Sequence, residues 1–102
     1  MALSQATLTT SASTVFTSSG NNAVTAMYLC NYSASDRTAT IYLVISGGSA
    51  GNSNMIYKEI PIAAGDTYII DTERLVLGNG DTIQALASSS TSITMTVSYV
   101  GV

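Results

Sequence analysis

Along most of this chain apolar and polar residues alternate with a period of two, and clusters of Gly, Asn, Asp and Ser interrupt the alternation every eight to twelve residues. That pattern predicts short strands joined by turns. The last segment, Ile93 to Tyr99, is the clearest case. Ile93, Met95, Val97 and Tyr99 fall on one face, while Thr94, Thr96 and Ser98 fall on the other. One buried face and one hydroxyl-lined face are expected of it. Arg37 to Ser46 repeats the pattern, with Ala39, Ile41, Leu43 and Ile45 on one side. Its other side holds Thr38, Thr40, Tyr42 and Val44, polar at one end and apolar at the other.

Ala23 to Tyr32 is apolar on both faces, with Val24, Ala26, Tyr28 and Cys30 set against Met27 and Leu29. Its length and its turn-like flanks, Gly20-Asn21-Asn22 and Asn31-Tyr32-Ser33, favour a central strand over a helix. Met55 to Ile60 reads as a strand ended by Pro61, and Leu75-Val76-Leu77 as a short one. Asp71 to Arg74 reads as a corner between strands. Two segments echo each other: Gly65-Asp66-Thr67 and Gly80-Asp81-Thr82 each precede an apolar run. In both, Gly supplies positive φ, Asp bonds the local backbone and Thr opens the strand. Gly47 to Asn54 has three glycines and no evident side-chain anchor, so it reads as a mobile exposed loop.

Residues 1–20 are rich in Ser and Thr and alternate weakly. They are expected to form edge strands, or an N-terminal arm that docks on a neighbour and can be deleted as residues 1–19 without unfolding the rest. Residues 21–102 are expected to form the body. The fold class expected is all-β: an antiparallel β-sandwich of seven to nine short strands, jelly-roll or Ig-like Greek key. No segment shows sustained helical periodicity with caps.

Composition changes the picture chiefly through charge. Nine of 102 residues are charged, three basic and six acidic, against about a quarter in an ordinary soluble chain. Ser and Thr together fill more than a quarter of the positions. A free monomer usually coats itself with Lys and Glu, so covered surface and homo-oligomerisation are expected. With only Arg37, Lys58 and Arg74 as cations, direct nucleic-acid contact is not expected. No apolar run approaches the length of a membrane-spanning helix, so no membrane partner is expected. The opening Met1-Ala2-Leu3-Ser4-Gln5 lacks the basic and apolar regions of a signal peptide.

Candidate chemistry is sparse. The sequence has no His and one Cys, which rules out a Ser-His-Asp or Cys-His triad and a tetrahedral zinc set. Cys30 reads as a small hydrophobe on a strand. Asp71 with Glu73, and Asp66 with Asp81, are the carboxylate pairs to weigh, but an Asp after a turn Gly ordinarily caps backbone. No calcium-loop or phosphate-loop pattern occurs, and Asn31-Tyr32-Ser33 is read as a chance glycosylation match. No cofactor and no enzymatic activity are expected. The six tyrosines, Tyr28, Tyr32, Tyr42, Tyr57, Tyr68 and Tyr99, suit core-edge or interface roles.

The run from Asn52, NSNMIYKEIPIAAGDTYIIDTERLVLGNGDTIQALASSSTSITMTVSYVGV, together with AVTAMYLCNYSASDRTATIYLV from Ala23, resembles small structural proteins of tailed-bacteriophage virions. The likeness rests on the TATIYLVISGG strand, the IPIAAGDTYIID corner, the LGNGDTIQA turn and the terminal TMTVSYVGV strand, and spans Ala23 to Val102. It implies a β-sandwich virion component without enzymatic activity, assembled in the host cytoplasm. A capsid decoration or cement protein that stabilises contacts between major capsid subunits is the leading expectation. A neck, tail or baseplate/fibre-associated component is the alternative, and a carbohydrate- or receptor-binding module using exposed tyrosines is a further one. The resemblance supplies no site residues. Leu3, Leu8, Val15 and Phe16 of the arm and Tyr42 and Val44 on the body are the expected contacts with the major capsid protein or other virion proteins.

Overall fold

The computed structural model describes residues 2–71 and 75–102 and contains nine strands. They are β1 (Ala2–Thr7), β2 (Ser13–Thr17), β3 (Asn22–Asn31), β4 (Arg37–Val44), β5 (Met55–Ile62), β6 (Thr67–Ile70), β7 (Leu75–Leu77), β8 (Thr82–Ala87) and β9 (Ile93–Gly101). All pair antiparallel in two sheets. Sheet A has the order β1-β9-β3-β6, with β7 also pairing with β3 beyond the end of β6; sheet B has the order β2-β8-β4-β5. With β7 set aside as a continuation of the β6 edge, this is the two-Greek-key jelly-roll order, the first of the two sandwich topologies expected from sequence.

The inner faces meet as the alternation predicts. Sheet A contributes Met27, Leu29, Ile93, Met95 and Val97, and sheet B contributes Phe16, Ala39, Ile41, Ile83 and Ala85, to one buried cluster. In β9 the inward set is the one expected. In β3 a bulge between Val24 and Ala26 shifts the register. Thr25 is the extra residue, so Val24 joins Met27 and Leu29 inside, while Ala26, Tyr28 and Cys30 turn outward. A second bulge, between Thr14 and Phe16 of β2, lets adjacent Val15 and Phe16 both reach the core.

The two Gly-Asp-Thr segments share one backbone device. Asp66 N donates to Ala63 O and Asp81 N to Gly78 O, closing four-residue turns in which Gly65 (φ 74°) and Gly80 (φ 87°) are left-handed. Each Gly-Asp pair then opposes one residue of the neighbouring strand. Gly65 N donates to Asn31 O, and Asn31 N to Asp66 O; Gly80 N donates to Ser18 O, and Ser18 N to Asp81 O. These are bulges with a left-handed glycine at the first position. Both opposing residues are buried polar hubs. The Asn31 amide donates to Ser35 O and Ile62 O, while its oxygen accepts from Ser33 N and Oγ. Ser18 Oγ donates to Gly20 O and Leu77 O and accepts from Asn22 Nδ2.

Residues 2–7 and 13–17 form edge strands in different sheets, the first of the two arrangements expected for residues 1–20. Several other expectations need correction. Leu8, Val15 and Phe16 are buried core residues, so deleting residues 1–19 removes core and not an appendage. Strand β5 runs through Pro61, because at a sheet edge the missing N–H can point away from the ladder. The loop after β4 has an anchor: Asn54 Oδ1 accepts from Gly51 N, its amide donates to Ser49 O, and its carbonyl accepts from Leu43 N. Thr72 to Arg74 of the expected corner lie outside the described residues.

Two stability predictions test the bulges and hubs. Asn31→Ala orphans the buried Ile62 carbonyl and releases Ser33 N, and is expected to cost about 2–3 kcal/mol in denaturant unfolding; an unchanged midpoint would contradict the hub. Gly65→Ala, where an added Cβ meets no atom within 4 Å, should cost about 1–2 kcal/mol from φ alone. Gly80→Ala should cost more, since its Cβ would stand 2.5 Å from Ser46 Oγ. Equal losses would count against that packing.

Candidate functional site: an uncharged sheet face

Five of the six expected contact residues are not surface. Leu8, Val15 and Phe16 lie in the main core, and Tyr42 and Val44 are buried on β4. Val44 is covered by the chain's own next loop, where a Cβ on Gly48 would sit 3.2 Å from its Cγ1. Only Leu3 is exposed, at 64%.

Register shows what accompanies Leu3. Directly opposed residues of antiparallel strands share a face. Leu3 opposes Ser98, which opposes Ala26 across β3. Gln5, Thr96, Tyr28 and Ile69 form a second row across all four strands, and Thr7, Thr94, Cys30 and Thr67 a third. At the other end Val100, Ala23 and Val76 make a short row. Leu3, Tyr28, Ile69, Val76 and Val100 on this outer face of sheet A are large apolar residues exposed by between 37% and 70%. None of these strand positions holds a charged residue. Side-chain hydrogen bonds tie the hydroxyls down: Gln5 Nε2 donates to Thr96 Oγ1, and Thr25 Oγ1 to Ser98 Oγ and O.

The charges are spent elsewhere. Arg37, Lys58 and Glu59 belong to β4 and β5 of sheet B. Three of the four aspartates hold turns: Asp36 Oδ1 accepts from Ala64 N, Asp66 Oδ1 from Thr67 N, Asp81 Oδ1 from Ser46 N and Asp81 Oδ2 from Gly78 N, while Asp71 is exposed directly after β6. Such charge-assisted bonds to backbone are structural work. Glu73, of the Asp71 and Glu73 pair, lies outside the described residues. Among the described residues no three of His, Cys, Asp and Glu come together as metal ligands. Among the described residues no helix is long and apolar enough to cross a membrane.

Surface depressions offer little chemistry. One of about 300 Å³ is lined by Met27, Ile56, Tyr57 and Leu75. Another of about 410 Å³ is lined by Gln5, Ala6, Thr7, Thr94 and Thr96. A third of about 200 Å³ includes Asp81, whose carboxylate oxygens are those already bonded to backbone. The exposed rings are dispersed: Tyr28 on the outer face of sheet A, Tyr32 in the turn after β3, and Tyr68 opposite inward-facing Leu29. Tyr99 packs against Phe16 with the rings tilted by 40° and their centroids 4.3 Å apart. Cys30 is half-buried with a free thiol. Asn31 is fully buried and cannot accept a glycan.

Sequence reading missed this face because its apolar members sit one per strand among hydroxyls, where no local run marks them. The signal was the absence of charge on the strands themselves. No family model, curated protein or solved structure matches the chain.

Asp81→Ala is expected to cost about 1–3 kcal/mol by releasing two backbone N–H groups from one carboxylate. Hydrogen exchange should report faster Ser46 and Gly78 amides; unchanged exchange at both would contradict the bonding described.

Proposed function

We infer that this chain is a non-enzymatic structural protein that works by adhesion, with the outer face of sheet A as its contact surface. The observation that supports this best is the set of five exposed apolar side chains on a four-strand face whose strand positions hold no charge. Isolated exposed apolar residues are ordinary, but five on one sheet face, interspersed with hydroxyls and with no charge on its strands, fit an interaction surface. Four strands about 4.8 Å apart and about nine residues at roughly 3.4 Å each span on the order of 600 Å² in projection. Side-chain relief raises the accessible area towards the ~800 Å² per partner of a standard interface.

The resemblance to tailed-phage virion proteins gives the setting: an accessory component of the particle, foremost a decoration or cement protein across seams between major capsid subunits. Many identical copies would add their contacts through avidity. The jelly-roll order accords with this, since viral capsid domains use it, although lectins and cupins use it too. A place at the neck, tail or baseplate is the second reading. Quantitative mass spectrometry of purified particles separates them: copy numbers in the hundreds fit the head, and a small multiple of a ring symmetry fits the tail axis. The dispersal of the exposed tyrosines argues against a sugar-stacking platform.

Tyr28→Lys and Ile69→Lys, made singly, should each lower particle occupancy at least about tenfold. Their thermal midpoints should stay near that of the parent, because both side chains are well exposed. Full occupancy with either variant would remove sheet A from the mechanism.

A further inference from the structure

Three of the four sheet edges bear features that discourage further pairing. Strand β5 carries Lys58, Glu59, Pro61 and two register shifts. Strand β2 is five residues long with a bulge at Val15, whose carbonyl accepts from Ser4 Oγ. The third edge is divided between four-residue β6 and three-residue β7. Charge, proline, bulges and shortness are the usual protections of an edge. Strand β1 has none of them: six residues, Ala-Leu-Ser-Gln-Ala-Thr, in unbroken register with β9.

We propose that β1 pairs antiparallel with β1 of a second copy, joining two A sheets into one continuous sheet across a two-fold axis. The bonding pattern fixes the register. Leu8 N donates to Ile93 O, so by antiparallel alternation residues 4 and 6 also bond to β9, and Leu3, Gln5 and Thr7 direct their N–H and C=O groups to the open edge. With the axis at Gln5, Gln5 opposes its own copy and Leu3 opposes Thr7 of the other chain in both directions. All three residues then bond, whereas sliding the pair by two positions loses one bonded pair. Any extended strand can pair with such an edge; a second copy is the occupant proposed because it offers the same three outward-directed residues in a register that bonds all of them and brings no charge to the seam. The two Gln5 side chains meet on the outer face, each amide already held towards Thr96.

The interface is modest. Six residues at about 3.4 Å across a body 20 Å thick give on the order of 400 Å² per copy, half the standard value. A reversible dimer follows, one that lengthens the adhesive face of sheet A without adding charge. This deepens the adhesive reading by naming one partner, yet the test uses the isolated chain and is independent of any particle.

Sedimentation equilibrium should show the mass rising from one chain towards two between about 10 µM and 1 mM. Over that range the amides of Leu3, Gln5 and Thr7 should slow in hydrogen exchange by about tenfold or more, while Ser4, Ala6 and Leu8 stay protected throughout. Gln5→Pro removes an N–H that makes no bond to β9, so it should fold and stay monomeric; Leu3→Lys should do the same if the proline variant misfolds. A monomer at every concentration would overturn the proposal. So would a dimer in which Leu3, Gln5 and Thr7 still exchange quickly, or one that survives in a folded Gln5→Pro. None of these results would bear on whether Ile69→Lys loses its place on the particle.

Discussion

Register is the constraint on which the rest of this structure depends. In a sheet one residue of slippage exchanges the core face for the solvent face. Here the pairing is fixed where the backbones of buried Asn31 and Ser18 each exchange two hydrogen bonds with a Gly-Asp bulge. The side chains of the same two residues satisfy carbonyls on neighbouring segments. A chain so poor in ionic groups has few other means of penalising a slipped strand. Buried polar atoms supply that penalty, because they are costly when unpaired.

Fixed register decides which residues remain outside. Once Met27, Leu29, Met95 and Val97 are committed to the core, Tyr28, Thr94, Thr96 and Ser98 must face outward, and β1 and β6 add Leu3 and Ile69 to the same surface. Three of the four aspartates are consumed by turns, Asp71 lies just past the end of β6, and the described cations stand on the opposite sheet. An uncharged outer face is therefore a consequence of how the chain spends its few ionic residues. Covering such a face with protein releases water from apolar rings and methyls without stripping any ion.

The strands were legible in sequence wherever alternation ran unbroken, as in β9, and the Gly-Asp corners were legible from residue type alone. What escaped were features that depend on a partner strand. Nothing local in Val24-Thr25-Ala26 announces a bulge, so Val24 reads on the wrong face. Val15 and Phe16 are the strongest apolar residues near the start of the chain, and for that reason the core takes them instead of a neighbour. Val44 reads as outward by alternation, yet the following loop folds over it. Hydrophobicity along the sequence finds core; a contact face of scattered apolar residues appears only when strands are set side by side. The exposure of Leu3 was legible because it stands apart from every core run.

The most direct test of the adhesive face is hydroxyl-radical footprinting of the free chain against the same chain in its assembled particle. The account predicts protection concentrated at Leu3, Tyr28, Ile69, Val76 and Val100, with Tyr32 and Ile45 little changed. Protection centred on β5, or equal reactivity in both states, would contradict it.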